Sequence, residues 1–250
     1  MEAGVYEVEA KLEETHWWFS GRRKLFGQII RRLPLERGAP VLDVGTSTGT
    51  NLRLLRDLGF HSVVGLDASE DAIAFCAAKG LGRVRLGDVT RMPFENAEFS
   101  LVLATDIIEH VDDDLAALSE IYRVLRPGGS VLITVPAFMS LWGLQDDVSR
   151  HKRRYRKSQL LERIRSCGFV PIDAFYFNYL LFSPIWTARQ LMKWVKPSIR
   201  SENELNSPLI NTILTSLFAM DVTTAGWLRP PFGVSALVLA EKPPSHVQFC

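Results

Sequence analysis

The chain has 250 residues, of which 47% are apolar and 23% are charged, and its formal net charge at pH 7 is +1. This composition supports a folded domain with a sizeable core and excludes a chain that is mainly disordered. The small net charge excludes a global attraction to nucleic acid or to an anionic membrane.

The cysteines and the first residues bear on the cellular compartment. The three cysteines lack the paired spacing of a disulfide framework or a zinc site. The chain opens with MEAGVYEVEAKLEE, which is acidic and mixed rather than basic and apolar. We therefore expect a cytoplasmic protein.

Five β-like runs alternate with helical patterns in the first half of the chain. The strands are predicted at APVLDVG, HSVVGLD, VRLGD, FSLVLATD and SVLITVP. The helical stretches between them place leucines on one face and end at Gly59, at Gly80 and at Pro127-Gly128-Gly129. Strands that alternate with crossover helices form a parallel sheet covered on both faces. The predicted fold class is therefore α/β, with a doubly wound, mostly parallel sheet.

Two further strands, VPIDAFYF and GVSALVLAEK, bring the predicted total to seven, and they could pair as a hairpin at the sheet edge. A helix from Ser158 to Gly168 precedes them. Between them, residues 178–230 are mostly helical and aromatic-rich, much longer than a usual connection. We expect this insertion to form a cap or an assembly surface that could contact a membrane or a second copy.

The predicted domain organisation follows from these elements. Residues 1–36 form an N-terminal lid that includes a helix over Arg22 to Arg32. Residues 37–250 form one domain, with a cofactor-binding half at 37–136 and an acceptor-side half at 137–250.

A glycine-containing turn follows the first predicted strand and reads Asp43-Val-Gly45-Thr46-Ser-Thr-Gly49. Ligands of open α/β sheets bind beyond the carboxyl ends of the strands, where such a turn presents free amides at a helix N-terminus. A dinucleotide fingerprint would be G-x-G-x-x-G, whereas the spacing here is G-x-x-x-G. The turn therefore favours a nucleoside without a diphosphate and disfavours a nicotinamide oxidoreductase.

Acidic residues end the next two predicted strands. Asp67, followed by Ala68, is placed to accept hydrogen bonds from ribose hydroxyls. Asp88 can accept from an exocyclic amine, while the backbone amide of Val89 can reach a ring nitrogen. One such acid alone is often a solvated residue or a helix cap, but the successive acids and the glycine turn together indicate a nucleoside site.

With these motifs the chain resembles the class I S-adenosylmethionine-dependent methyltransferases, specifically the group that includes the ubiquinone-biosynthesis O-methyltransferases. VLDVGTSTG is similar to the family's first motif, GLDAS to its second, and GDVTRMPFENAEFSLVLATDIIEHV with LRPGGSVLITVP to its remaining motifs. The resemblance implies that S-adenosylmethionine is the methyl donor and S-adenosylhomocysteine the product.

The resemblance also implies roles for single residues. Gly45 and Gly49 would pack against the methionine part of the cofactor, Asp67 would hold the ribose, and Asp88 would hold the adenine amine. Ser47 stands where the family usually has a middle glycine. The predicted cofactor-binding residues are Trp18, Arg22, Asp43, Gly45, Thr46, Gly49, Asp67, Ala68, Asp88, Val89, Thr105, Asp106 and His110.

The segment Asp106-Ile-Ile-Glu109-His110 allows two interpretations. In the ubiquinone-type relatives a similar arrangement binds a divalent metal that orients a catechol, and these side chains are plausible ligands. Alternatively, Asp106 lines the cofactor pocket while Glu109 and His110 cap the following helix. We favour the second interpretation and predict no metal site.

After the fifth strand, LWGLQDDVSRHKRRYRKSQL resembles a segment in a subset of the family where an acid, a histidine and an Arg-Tyr pair face the substrate. Methyl transfer to a hydroxyl requires alignment of the reacting atoms and removal of a proton. His151 is predicted as the catalytic base, with Asp146 as its orienting partner or as an acceptor-binding group. The predicted acceptor-binding residues are Trp142, Arg150, Tyr155 and Tyr179.

These features favour methyl transfer to a hydroxyl of a small molecule, such as a sugar, a natural product or a lipid-linked intermediate. N- or C-methylation, and a non-catalytic subunit that binds the cofactor, are the alternatives. The basic run from Arg150 to Lys157 raises RNA methylation as a further alternative. RNA is disfavoured because the chain shows no appended RNA-binding module, and no DNA partner is expected.

The segment HWWFSGRR, from His16 to Arg23, is expected near the mouth of the cofactor site. One hypothesis is a flap in which Trp17, Trp18 and Phe19 cover the ligands while Arg22 or Arg23 meets the methionine carboxylate. The other is a plain packing anchor for the first helix.

Overall fold

A seven-stranded sheet forms the centre of the computed structural model, which describes residues 10, 12–195 and 207–244. The strands are β1 (Val41–Val44), β2 (Val63–Asp67), β3 (Val84–Leu86), β4 (Phe99–Thr105), β5 (Leu125–Pro136), β6 (Val170–Phe177) and β7 (Ser235–Glu241). Their order is β3-β2-β1-β4-β5-β7-β6, and β7 runs antiparallel to both of its neighbours while the other pairs are parallel. The predicted α/β class is confirmed.

Eight helices accompany the sheet in the described part of the chain. They are α1 (Trp17–Ile30), α2 (Thr50–Asp57), α3 (Glu70–Ala78), α4 (Asp114–Val124), α5 (Leu144–Val148), α6 (Lys157–Ser166), α7 (Phe182–Val195) and α8 (Pro208–Leu228), with a short 3₁₀ turn at Met139–Leu141. The insertion predicted over 178–230 contains α7 and α8, and residues 196–206 between them lie outside the described residues.

Two element boundaries differ from the sequence predictions for identifiable reasons. Strand β5 begins at Leu125, because Phe99 pairs with Leu125 and the Gly128 N–H donates to the Lys242 carbonyl, so the Pro-Gly-Gly stretch lies inside a strand. Helix α1 begins at Trp17 rather than Arg22, because the His16 side chain caps it by accepting the Trp18 N–H.

The last two strands pair as expected, but β7 lies inside the sheet and β6 forms its edge. They are joined through the insertion rather than through a tight turn, because β7 inserts between β5 and β6. This topology brings the insertion helices back toward the carboxyl ends of the central strands.

The sheet is covered by a separate apolar cluster on each face. One cluster contains Val102 and Ala104 of β4 together with the inner face of α4 and α6. The other contains Leu101 and Leu103 with the inner faces of α1, α2 and α8. Every residue of β4 is buried, as is usual for a parallel strand covered on both faces. The described N-terminal residues thus share a core with the sheet, and the division into lid and domain stays a prediction.

Helix α1 packs closely on α8. The Trp18 ring stacks on Phe218 with centroids 5.5 Å apart and 6° between the planes, and the Trp17 N–H donates to Asn211 Oδ1 at 2.9 Å. Gly21 allows the approach, since a Cβ there would lie 2.1 Å from the Phe218 ring. The aromatic N-terminal segment is therefore tied to the insertion.

Gly21→Ala is expected to destabilise the protein by about 1–3 kcal/mol, because the added methyl overpacks the Phe218 contact. Gly27→Ala in the same helix is the matched control. Its Cβ would meet the flexible end of Arg31 at 3.3 Å and Leu54 Cδ1 at an ordinary contact distance of 3.6 Å, and alanine gains helix propensity. Urea unfolding measures both variants, and equal stabilities would contradict the close α1–α8 packing.

Candidate active site

A cavity of about 930 Å³ opens at the carboxyl ends of β1, β2 and β4, where the strand order reverses between β1 and β4. Its volume lies near the upper end of the roughly 300–1,000 Å³ range of small-molecule sites. The structure places most of the predicted site residues on its wall. They are Trp18, Arg22, Gly45, Thr46, Asp67, Ala68, Asp88, Val89, Thr105, Asp106, His110 and His151.

The glycine turn follows β1 and needs its glycines for backbone reasons. Gly45 and Gly49 have φ values of 72° and 88°, and a Cβ on them would lie 2.8 Å from Ile107 and 2.4 Å from Leu81. Gly49 is the N-cap residue of α2 and is not among the residues that line the cavity. Ser47 also has a positive φ of 50°, at the position where the family usually has glycine.

Asp67 fixes the shape of this turn from the end of β2. Its Oδ2 accepts the Ser47 N–H at 2.8 Å, and its Oδ1 accepts the Ser69 N–H at 2.9 Å. The bond from Ser47 offsets the cost of its left-handed backbone. One carboxylate therefore joins the glycine turn to the start of α3 and faces the cavity.

Asp88 lies at the next strand end, exposed at the rim of the cavity. Its Oδ1 accepts both the N–H and the hydroxyl of Thr90, at 2.7 and 2.8 Å. Val89, the next residue, is buried and also lines the cavity. The carboxylate is thus held in a fixed orientation by its own turn.

Asp43 lies beneath the cavity rather than on its wall. Burial raises the pKa of this carboxyl to about 7. Asn51 donates from Nδ2 to Asp43 Oδ1 and to Thr105 Oγ1, both at 2.9 Å, and itself lines the cavity. Asp43 therefore acts through Asn51, a residue that sequence reasoning missed.

Arg22 reaches across the cavity from α1 to Asp106. Their side chains form an ion pair at 2.8 Å, and Asp106 also accepts the Thr134 hydroxyl at 3.1 Å. The Arg22 guanidinium lies 5.5 Å from the Trp18 ring and 5.2 Å from the Phe26 ring. The aromatic segment and the end of β4 are thereby linked through a charge pair.

The residues before α1 cover the glycine turn. Glu13 is buried, accepts hydrogen bonds from the hydroxyls of Thr48 and Thr50, and pairs with Lys79 at 2.8 Å. Sequence reasoning missed Glu13, because its partners lie more than thirty residues away. Trp17, Trp18 and Phe19 line the cavity while Trp18 also packs on Phe218, so this segment has the contacts of both a flap and an anchor.

A buried charge network orients His151. Its Nδ1 lies 2.8 Å from Asp146 Oδ1, and Arg154 donates to both Asp146 oxygens at 2.7 and 3.0 Å. Burial alone would raise the pKa of Asp146, but hydrogen bonds from His151 and Arg154 hold it well below its usual range. A charged carboxylate at Nδ1 keeps the proton on that nitrogen, which leaves Nε2 as the acceptor in neutral His151.

Glu109 lies close to the other side of the His151 ring. Its Oε1 is 4.0 Å from His151 Nε2, and neither Glu109 oxygen has a hydrogen-bond partner among the described residues. Burial, with the negative charge of Asp106, raises the pKa of Glu109 well above its ordinary value. Burial lowers the pKa of His110 to about 4, because it disfavours the charged imidazolium. The centroids of the His110 and His151 rings lie 4.7 Å apart.

Comparison with known proteins agrees with this geometry. A family model described as a methyltransferase domain matches residues 42–133. A Mycolicibacterium smegmatis protein named "Probable S-adenosylmethionine-dependent methyltransferase" is 29% identical over 165 residues, which cover 65% of this chain and 63% of that protein. A malonyl-[acyl-carrier protein] O-methyltransferase of Pectobacterium atrosepticum is 29% identical over 158 residues, which cover 60% of this chain and 58% of that protein. These matches support a class I S-adenosylmethionine-dependent methyltransferase.

Solved structures show the same fold over nearly the whole chain of this methyltransferase. A chain in the complex between the Haloferax volcanii Trm112 methyltransferase activator and a methyltransferase has a TM-score of 0.66 and 20% identity, and covers 98% of this chain and 97% of that chain. The match to each of the two curated relatives spans less than two thirds of their length.

The cofactor of this methyltransferase is S-adenosylmethionine, and the cavity fits it. Its volume suits a nucleoside-sized molecule, Gly45 lies on its wall, and the Asp67 and Asp88 carboxylates stand there at successive strand ends. The ribose and adenine roles predicted for Asp67 and Asp88 have the required positions on the wall and stay predictions.

The methyltransferase also brings together a group of side chains that could hold a metal ion. One ligand atom each from Glu109, His110 and His151 lies within 4.8 Å of the others. This group differs from the Asp106-Glu109-His110 arrangement considered from the sequence, because Asp106 is paired with Arg22 and His151 enters from the segment after β5.

Methyl transfer is expected to be unchanged after treatment with EDTA and dialysis. Asp106, the second carboxylate of the arrangement considered from the sequence, is paired with Arg22, which leaves this group with a single carboxylate. Activity and bound metal are measured on the same sample. Loss of activity that a divalent ion restores would contradict the prediction and assign a metal to this group.

The four predicted acceptor-binding residues stand away from the described lining of the cavity. Trp142 donates from Nε1 to Asp147 at 2.9 Å, and Arg150 is exposed just after α5. Tyr155 is buried and donates its hydroxyl to Asp114 at 2.6 Å, while the Tyr179 hydroxyl lies 2.9 Å from that of Thr224. Their positions outside the lining give the acceptor role no support, and the role stays a prediction.

The insertion and the last two strands wall another part of the cavity, which we expect to be its acceptor end. Helix α7 contributes Ile185, Ala188 and Arg189, α8 contributes Leu214, and the ends of β6 and β7 contribute Asn178 and Ser235. Arg189 donates to the Leu141 carbonyl and lies 3.6 Å from Asp146 Oδ2. The aromatic-rich insertion thus walls the cavity mainly with aliphatic side chains, which sequence reasoning missed.

Proposed function

We propose that this protein transfers a methyl group from S-adenosylmethionine to a hydroxyl of a small-molecule acceptor. The observation that carries the proposal is the pairing of His151 with the buried Asp146, since His151 lines the same cavity as the glycine turn and Asp67. A hydroxyl is a weak nucleophile that must lose its proton during transfer, and this pair provides a base at the cavity wall.

His151 performs the proton transfer in this mechanism. When bound, S-adenosylmethionine supplies a methyl group on a positively charged sulfur, and the C–S bond breaks as the acceptor O–C bond forms. His151 Nε2 takes the hydroxyl proton. Asp146 holds the ring in place through Nδ1 and stabilises the imidazolium that forms, and Arg154 keeps the Asp146 carboxylate charged.

Other residues exclude water from the cavity and position the acceptor. Trp17, Trp18 and Phe19 cover the cavity from α1, and Glu13 holds the segment before them on the glycine turn. Glu109 lies beside His151, and neither of its oxygens has a hydrogen-bond partner among the described residues, so its carboxyl group can form a hydrogen bond with the acceptor. Glu109 and His151 together orient one hydroxyl of the acceptor toward His151 Nε2.

A small molecule is favoured over RNA by the pairing of the basic run. Lys152 pairs with Asp112 at 2.5 Å, Arg153 lies 3.3 Å from Asp114, and Arg154 is buried against Asp146. Lys157 lies over the Tyr176 ring. Four of the six cations of this run are thus used within the fold, which supports the smaller acceptor because RNA binding relies on cations that are open to phosphates.

Product analysis tests the proposal. The protein is incubated with methyl-labelled S-adenosylmethionine and panels of hydroxylated, amine and thiol acceptors, and the products are identified by mass spectrometry. We expect label in a methyl ether or ester. Label only on nitrogen or carbon would contradict O-methylation, and cofactor binding without transfer to any acceptor would favour a non-catalytic subunit.

A further inference from the structure

Helix α8 exposes an apolar stripe along its whole length. Leu209, Ile213, Met220 and Trp227 are 72%, 52%, 51% and 82% exposed. Successive members are separated by four, seven and seven residues, so at 3.6 residues per turn they point in nearly the same direction. We call these four side chains the α8 stripe.

The exposed face of α8 carries no charge. Asp221 is the one ionisable residue among the 21 of this helix, and it is buried. Its carboxylate accepts the backbone N–H groups of Asn178, Tyr179 and Leu180 at 2.6–3.0 Å. A helix that faces water usually carries charged residues on its outer side, so this face is unusual for an aqueous surface.

The polar groups beside the α8 stripe are satisfied inside the helix. The exposed hydroxyls of Thr212 and Ser216 donate to the carbonyls of Pro208 and Thr212, at 2.9 and 3.0 Å. The Thr223 hydroxyl donates to the Met220 carbonyl at 2.7 Å. Internally bonded hydroxyls tolerate an apolar environment, because no hydrogen bond to water is lost there.

The packing of the inner face of α8 on the sheet determines how this helix can contact a membrane. Among the described helices, α8 is the one long and apolar enough to cross a membrane by length and composition, with a mean hydropathy of 1.2. Phe218, Val222 and Ala225 on its inner side are, however, buried in the core that covers the sheet. The helix therefore fits an orientation along a membrane surface, with the α8 stripe outward.

Cations lie beside the α8 stripe. Arg31 and Arg32, at the end of α1, line a shallow pocket together with Thr223 of α8. Both arginines are exposed, and neither forms an ion pair within the described part of the chain. An uncharged apolar stripe with adjacent cations is complementary to an anionic lipid surface, whereas a second copy would present the same cations.

We propose that α8 docks this protein on the surface of an anionic membrane. The α8 stripe enters the boundary between headgroups and acyl chains, and Arg31 and Arg32 face the lipid phosphates. The same helix contributes Leu214 to the acceptor end of the cavity. Docking therefore places that end of the cavity next to the lipid phase, and the proposal holds independently of the reaction that takes place in the cavity.

Co-sedimentation with lipid vesicles tests the proposal on the full chain. Vesicles of phosphatidylcholine alone are compared with vesicles that also contain phosphatidylglycerol. We expect binding to the anionic vesicles, weakened by about tenfold or more in Ile213→Glu/Met220→Glu and also weakened in Arg31→Gln/Arg32→Gln. Leu86→Glu, at a 52% exposed position on β3, is the matched control and should bind as the wild type.

Three outcomes would overturn the proposal. The first is the absence of binding to anionic vesicles, and the second is unchanged binding by Ile213→Glu/Met220→Glu. The third is a dimer that forms without lipid and is lost in that variant, which would assign the α8 stripe to a second copy. S-adenosylhomocysteine affinity shows separately that each variant is folded, so failure of docking is distinguishable from failure of the cofactor site.

Discussion

Asp67→Ala is expected to weaken S-adenosylhomocysteine binding by more than tenfold. The variant removes a carboxylate that faces the cavity, and it also removes the acceptor for the Ser47 and Ser69 N–H groups. Hydrogen bonds to charged groups contribute about 1.5–3 kcal/mol each, and 1.4 kcal/mol corresponds to tenfold in affinity. Isothermal titration calorimetry measures the change.

The matched control is Asp71→Ala. Asp71 is an exposed acid one turn further along the chain, in the first turn of α3. We expect this variant to bind S-adenosylhomocysteine as the wild type does. Wild-type affinity in Asp67→Ala, with the fold confirmed by circular dichroism, would reject the cofactor assignment of this strand end.

His151→Ala is expected to lower kcat for a hydroxyl acceptor by about 10²–10⁴, the usual contribution of general base catalysis. The affinity for S-adenosylhomocysteine should stay within about twofold of the wild type, because the cofactor contacts come from the other strand ends. The measurement pairs steady-state kinetics, on an acceptor found by product analysis, with calorimetry.

His61→Ala is the control for the loss of an imidazole, since His61 is exposed in the loop before β2. The turnover of both variants should be compared across pH. Loss of a general base also removes the limb of the pH–rate profile that its titration produces. Turnover in His151→Ala close to that of His61→Ala would show that His151 is not the base.

The cofactor half could be predicted from sequence because its residues lie at strand ends. In a parallel sheet the carboxyl ends of neighbouring strands meet at one edge. Gly45, Asp67 and Asp88 therefore come together regardless of the conformation of the loops. The glycine turn is also locally determined, since Gly45 and Gly49 have positive φ values.

The acceptor half could not be predicted in the same way, because its contacts depend on tertiary pairing. Tyr155 and Arg154 stand in a run that looks like a solvated basic surface, yet they are buried against Asp114 and Asp146. Glu13 reaches the glycine turn across more than thirty residues. No local periodicity encodes such partners.

Which aromatic residues of the insertion region are exposed could not be predicted from the sequence either. The aromatic residues in and beside the insertion do not share one environment, since Phe175 and Phe177 at the end of β6 are buried. Trp186, Trp227 and Phe232 are exposed instead. Composition predicts how much apolar surface a segment has, whereas the side of a helix on which it lies depends on what the helix packs against.

A crystal structure with S-adenosylhomocysteine tests the central claim most directly, namely that one cavity holds the cofactor and presents its sulfur to His151. We expect the ribose hydroxyls within hydrogen-bond distance of Asp67 and the adenine beside Asp88 and Val89. The sulfur should face His151 Nε2 across a space open to an acceptor. A nucleoside bound outside this cavity, or a sulfur that points away from His151, would contradict the account.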